Sequence, residues 1–136
     1  MDNCVFCKIV SGDIPSTVVY EDEDFKAIMD ISPASRGHVI ILTKNHFENL
    51  FELEDRCGSK LLPVARKIAT AMKDELGCDG INFLQNNGKA AGQTVFHIHF
   101  HLIPRYKDDK VNISWTNNQY KDGEAAEIAE RISKLI

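Results

Sequence analysis

The stretch VFHIHFHLIPR, residues 95–105, restricts the possible fold more than any other part of the chain. His97, His99 and His101 alternate there with Ile98, Phe100 and Leu102. In a helix, residues two apart are rotated by about 200°, so the imidazoles would share no face. On a strand, successive side chains point to opposite faces, and the histidines line up about 6.6–6.8 Å apart on one side. The alternation therefore predicts a strand over 95–103, apolar on its core face, with Pro104 ending the pattern. Three uses are open to the other face: an incidental exposed sheet surface, a metal site, or imidazole-based phosphoryl chemistry. Zinc ligands must converge to about 2.0–2.1 Å from the ion, which three residues on one straight strand do poorly. One imidazole on a metal, with its neighbours free for chemistry, suits the spacing better.

The rest of the chain supplies the partners for such a strand. TVVYED (17–22) and DFKAIMD (24–30) read as a strand hairpin, and HVIILTK (38–44) as a buried strand. GINFLQN (80–86) is a further strand. In SKLLPVARKIATAMKDELG (59–77), Leu61, Ala65, Ile68, Met72 and Leu76 fall on one helical face, and Gly77 suits the C-cap. Pro63 fits a helix that starts near Ser59; a start near Asp55 would place it in the interior, where a kink is expected. GEAAEIAERISKLI (123–136) is an amphipathic helix with Ile128, Ile132 and Leu135 on one side. Strands and helices do not alternate regularly, so the expected class is α+β with a largely antiparallel sheet. One domain is expected over 1–136, with its core at about 4–106 and a tail over 107–136.

Composition narrows the function. The formal net charge of −4 argues against a broad basic face for nucleic acid. No apolar run approaches a membrane span, and the opening MDNCVFCKIV has no basic region followed by a long apolar stretch, so a cytoplasmic protein is expected. Of four cysteines, Cys4 and Cys7 form a C-x-x-C pair, while Cys57 and Cys78 stand apart. A redox pair normally follows a strand, for which residues 1–3 leave no room, so metal is the better reading of Cys4 and Cys7. NNGKAAGQT (86–94) places Gly88 and Gly92 beside Asn86, Asn87, Gln93 and Thr94. Such a loop can turn amide groups toward an oxyanion, although many plain turns share its composition. Beside a nucleophilic imidazole the anion reading gains weight.

HIHFHLI (97–103) resembles the His-x-His-x-His signature of the histidine triad family, and the likeness extends over most of residues 4–106. It is closest to the Hint-like branch and to bacterial members with an N-terminal C-x-x-C. The resemblance implies the family's antiparallel fold with a long helix packed on the sheet. It also implies cleavage at the α-phosphate of nucleoside phosphoramidates, adenylylated compounds or dinucleoside polyphosphates. His99 would be the nucleophile, forming a nucleotidyl-histidine. His101 and His38 would lie beside the phosphate, with Gln93, Thr94, Gly92 and Asn86 around it, and Thr94 near the leaving group. Asp30 would hold ribose hydroxyls, and Val5, Phe6, Ile9 and Ile31 would form the base slot. Read without the family, Phe6, Ile9 and Ile31 are plain core, Asp30 starts a turn, and His38 opens a strand.

The resemblance to C-x-x-C members further implies a closed zinc site of Cys4, Cys7, His46 and His97. With no open coordination position, that zinc is structural, and catalysis requires no metal. The implied partners are a purine ribonucleotide substrate and a second copy of the chain, met through the helix containing LLPVARKIATAM. Two other classes stand against this reading. One is a nucleotide-binding or scaffolding protein without turnover, and the other is a zinc hydrolase that uses His97, His99 and His101 as its ligands.

Overall fold

A computed structural model describes residues 3–136. Short helix α1 (Val5–Ser11) comes first. Strands β1 (Val18–Glu21), β2 (Phe25–Met29) and β3 (Val39–Thr43) follow, then the long helix α2 (Asp55–Leu76). Strands β4 (Gly80–Leu84) and β5 (His99–Arg105) precede a C-terminal helix, α3 (Glu124–Ser133). The five strands form one antiparallel sheet in the order β1-β2-β3-β5-β4, the expected α+β class.

Strand alternation sorts the side chains between two layers. Phe25, Ala27, Val39, Ile41, Phe100 and Leu102 face α2 and meet Leu61, Val64, Ala65, Ile68 and Met72. On the opposite face, Ile28, Ile40 and Leu42 pack with Ile9, Phe6 and Val10 of α1 and with Ile14. The register Leu42↔His99 and Ile40↔His101 sets both histidines beside that second apolar layer. The α1 face therefore carries an apolar floor on β2 and β3 and imidazoles on β5.

One charged residue is built into this layer. Lys26 lies on β2, only 8% exposed, and its ammonium donates to the Ile9 carbonyl at 2.9 Å. That carbonyl also receives the Gly12 amide, whose φ of +88° closes α1. The helix is thus fastened at its C-terminal end by a buried cation from the sheet.

Three boundaries differ from the sequence expectation. Strand β5 begins at His99, and residues 95–97 form a bend, because the His97 carbonyl accepts from the His99 ring at 2.7 Å. The strand also runs through Pro104. The Arg105 carbonyl faces β4 and accepts from Asp79, so Pro104 faces the other way, where β3 has already ended at the Val39↔Leu102 pair. Its missing N–H therefore costs no ladder bond, and its carbonyl accepts from Ser35. Finally, α2 starts at Asp55, which leaves Pro63 inside the helix. Gly77 caps that helix in the left-handed conformation, as expected. Helix α3 forms as expected, yet buries none of its residues, and Ile132 and Leu135 stay exposed.

Gly37 precedes β3 at φ +99°, and a Cβ there would come within 2.5 Å of the Leu76 side chain. Gly37→Ala should cost about 2–4 kcal/mol through backbone strain and overpacking, read as a fall in the denaturation midpoint with an unchanged m-value.

Candidate functional site

His99 and His101 face one side of β5 and His97 lies in the bend before it, so the three rings reach two different environments. His97 is fully buried, and its Nε2–H donates to the Thr43 carbonyl at 2.7 Å. That bond leaves the Nδ1 lone pair facing Cys4 and Cys7. His99 has the opposite tautomer. Its Nδ1–H donates to the His97 carbonyl, which frees Nε2. The His99 ring packs against the edge of Phe6 with centroids 4.9 Å apart.

His101 is set by a chain of hydrogen bonds that begins on the backbone. The Ala34 amide donates to His38 Nδ1 at 3.0 Å, so neutral His38 carries its proton on Nε2. That Nε2–H donates to His101 Nδ1 at 2.9 Å, which leaves His101 with an Nε2–H to offer. Asp30 lies alongside, with Oδ2 3.6 Å from His38 Nε2. Its Oδ1 already accepts from the Ser32 amide at 2.8 Å, so Asp30 is also the turn residue that its sequence context suggests. Free Nε2 of His99 and protonated Nε2 of His101 are thus adjacent, on rings 5.0 Å apart. One can attack and the other can donate.

These groups open into a cavity of about 430 Å³. Of the residues singled out in the sequence, it brings together Val5, Phe6, Ile9, Asp30, Ile31, Thr94, His99 and His101. Ile31 is almost wholly exposed at the rim. Ile14, Pro15, Ser16, Ile28, Met29, Ser32, Ile40 and Val95 complete the wall. Strand parity identifies Ile28 and Ile40 as facing α1 once the sheet order is known, whereas nothing local marks Pro15 or Ser16.

Asn86, Gly92 and Gln93 stand back from the cavity wall. Gln93 is buried, its Oε1 accepting from the Gly88 amide and its Nε2 donating to the Glu48 and Val95 carbonyls. All its side-chain polar atoms therefore hold the loop. Gly92 adopts φ +95° with the Asn86 amide packed over it. The Thr94 hydroxyl is exposed and has no partner among the described residues, so it is free to donate.

Burial governs the charge state of the imidazoles. It holds His101 down to about 4, with His99 and His38 adding to the shift and Asp30 opposing it. His97 is also held near 4 by burial, against the pull of the Thr43 carbonyl. Burial likewise lowers His99 and His38, and Asp30 offsets part of the shift in each. All four rings are thus neutral at pH 7, as a nucleophile and fixed-tautomer donors require.

The second environment is a donor cluster of Cys4, Cys7, His46 and His97, with donor atoms all within 4.8 Å of one another. A tetrahedral zinc site with ordinary bond lengths has N–N edges of about 3.4 Å and S–N edges of about 3.5 Å. Here His46 Nδ1 and His97 Nδ1 are 3.2 Å apart. The three close S–N pairs are Cys7–His46 at 3.3 Å, Cys4–His97 at 3.4 Å and Cys7–His97 at 3.5 Å. The donors therefore fit a zinc ion. Burial and the neighbouring Cys4 push the Cys7 thiol up to about 11, and a bound cation would favour its thiolate. The Cys4 sulfur also caps α1 by accepting from the Cys7 amide at 3.3 Å. His99 and His101 lie outside this cluster, so the three triad histidines do not share one metal. Asp30, His38 and His101 form a second donor group, whose facing ring nitrogens are already bonded to each other.

The HIT domain model matches residues 11–108, most of the chain. The chain belongs to the histidine triad, or HIT, family. A HIT family protein from Bacillus anthracis has a TM-score of 0.93 at 43% identity, covering 99% of this chain and 98% of that one. The adenosine 5'-monophosphoramidase of Schizosaccharomyces pombe is 36% identical over 98% of both chains. A Zn-bound histidine triad protein from Mycobacterium smegmatis, 40% identical over 98% of each chain, has a TM-score of 0.77. This HIT chain thus has relatives that act on nucleotides and one that carries zinc. Among its described residues no helix is long and apolar enough to cross a membrane.

The tautomers are directly measurable. Long-range ¹H–¹⁵N spectra should show Nδ1–H on His99 and Nε2–H on His38, His97 and His101, with His101 titrating near 4. The unfolded chain takes up that proton near 6.5, so stability is fully present above 6.5 and falls as pH drops from 6.5 toward 4. A melting temperature unchanged across that window would contradict the assignment.

Proposed function

We propose that this HIT protein hydrolyses or transfers nucleoside monophosphate groups at the α-phosphate, with His99 as the nucleophile. The observation that carries the reading is the paired tautomers: an unprotonated His99 Nε2 beside a protonated His101 Nε2 in one cavity. In the first step His99 Nε2 forms a bond to phosphorus and the bond to the leaving amine breaks. The electron pair leaves with the amine nitrogen, which takes a proton relayed from water through the Thr94 hydroxyl. The nucleotidyl-histidine keeps its Nδ1–H on the His97 carbonyl, and His101 donates to phosphate oxygens that gain charge. Water then attacks phosphorus and releases a proton to solvent, and the electron pair returns to Nε2. The phosphoramidase relative supports this class of chemistry.

Phe6, Ile9 and Ile14 form an apolar slot suited to a purine, with Val5 and Ile31 at its edge. Asp30 Oδ2 is the carboxylate oxygen left for ribose hydroxyls, since Oδ1 is occupied by Ser32. Gln93, Gly92 and Asn86 act on the phosphate side by shaping the loop that ends in Thr94. Cys4, Cys7, His46 and His97 would hold a structural zinc, which would tie the start of α1 to the bend before β5 through His97 and to the loop after β3 through His46, while the chemistry stays on the imidazoles. The protein works in the cytoplasm as a homodimer. Leu62, Pro63, Ala65, Arg66 and Ala69 of α2, with Ile81 and Phe83 of edge strand β4, offer the pairing face.

His99→Ala should keep the fold and lower turnover of adenosine 5'-phosphoramidate by about 10⁴-fold or more, and a quenched reaction of the unmodified protein should place the nucleotidyl adduct on His99 by mass spectrometry. A His99→Ala protein that keeps a tenth of the rate would sink the assignment. The purified protein should also contain about one zinc per chain. Cys7→Ala and His46→Ala should lower both zinc content and melting temperature, with a smaller loss of turnover than His99→Ala.

A further inference from the structure

The sheet face under α1 is laid out in two cross-strand rows. Register sets Lys26 opposite Leu42 and Leu42 opposite His99. In the next row Ile28 stands opposite Ile40, and Ile40 opposite His101. The row that ends in the His99 imidazole thus begins with a buried lysine, two strand spacings or about 10 Å away along the sheet. Glu21, opposite Lys26 on β1, is engaged by Lys44 at 2.8 Å. An apolar side chain would fill the Lys26 position without the cost of taking an ammonium out of water.

We infer that Lys26 is a positioning residue for the nucleobase. Its ammonium fixes the C-terminal end of α1 over the sheet, so that the apolar slot stands at a set place relative to His99. The inference rests on the reading of the cavity as a nucleotide site.

Helix α1 has seven residues, too few to hold their shape in water without outside contacts. Lys26 Nζ donates to the Ile9 carbonyl at 2.9 Å, near the end of the helix where the backbone dipoles leave partial negative charge. The same carbonyl accepts from Gly12, and the Lys8 carbonyl, one residue earlier, accepts from the Ile14 amide at 3.1 Å. The turn that carries Ile14, Pro15 and Ser16 into the cavity wall therefore hangs from the point that Lys26 holds. Nearly one helical turn back, Phe6 meets the His99 ring edge-on with centroids 4.9 Å apart. The base side of the cavity is thus suspended between Lys26 and His99, the two ends of one row. On the phosphate side, His99, His101 and Thr94 sit on β5 and the segment before it, and their place does not depend on the lysine bond.

AMP and ribose 5-phosphate, which lacks the base, separate a local role from a general one. By NMR titration the wild-type protein should bind AMP more tightly by about 10-fold or more, because only AMP fills the apolar slot. Lys26→Met nearly keeps the length of the side chain and leaves the Ile9 carbonyl its bond from Gly12. It should weaken AMP roughly 10-fold and leave ribose 5-phosphate within about twofold, since only the base slot loses its preorganisation. In turnover of adenosine 5'-phosphoramidate the same variant should raise KM roughly 10-fold with kcat within about threefold. Equal losses for the two ligands, or an unchanged AMP affinity, would overturn the positioning role. So would a loss of fold in both Lys26→Met and Lys26→Leu, since Lys26 would then serve the core as a whole. A wild type that binds AMP without turning over the phosphoramidate would sink His99 as the nucleophile, while the binding ratio still decides the role of Lys26. A wild type that binds AMP no better than ribose 5-phosphate would overturn the base slot and this inference together.

Discussion

The hydrogen bond from His99 Nδ1 to the carbonyl of His97, 2.7 Å long, is the contact on which the site depends. It fixes the His99 tautomer and frees Nε2 toward the cavity. It also takes the His97 backbone out of the sheet ladder, so that β5 begins two residues later than strand periodicity suggests. The His97 side chain, released from the sheet face, enters the sulfur–nitrogen cluster with Nδ1 exposed and Nε2 held by Thr43. A run of three histidines is thereby divided between the cavity, which His99 and His101 line, and the sulfur–nitrogen cluster, which His97 joins.

Helix α1 is held at both ends by polar groups that would be costly to bury alone. At its start, Cys4 and Cys7 belong to the sulfur–nitrogen donor cluster, and the Cys4 sulfur caps the first turn. At its end, the buried Lys26 ammonium holds the Ile9 carbonyl. Between them, Phe6 and Ile9 face the cavity. The apolar wall of the cavity is therefore carried by a short helix with a cluster of metal-ligating donors at one end and a cation–carbonyl bond at the other.

Much of this was legible in the sequence, and for physical reasons. The two-residue period of VFHIHFHLIPR and the apolar run of HVIILTK specify which faces are buried, and the sheet places them accordingly. The choice of Cys4, Cys7, His46 and His97 followed from the family resemblance, and the structure gathers these four donors within 4.8 Å. What escaped was decided by contacts distant in sequence. A lysine between Phe25 and Ala27 reads as a solvent-facing residue until α1 is laid over it. Gln93 reads as a free amide donor until Gly88, Glu48 and Val95 are found to use it. The start of α2 at Asp55 was hidden because Glu54, its cap, makes no side-chain capping bond. Pro104 reads as a strand terminator, yet it faces the side where β3 has already ended.

The chain from the Ala34 amide through His38 to His101 determines when the cost of ordering the site is met. A free imidazole can adopt several ring orientations and either of two tautomers. Here a backbone amide selects one state of His38, and His38 selects one state of His101. Ser35, held to the Pro104 carbonyl, keeps the loop that ends in His38 against the strand that carries His101. These losses of conformational entropy are incurred when the chain folds, so in the proposed reaction an arriving phosphate would meet donors already aimed and lose little of its binding free energy to arranging them.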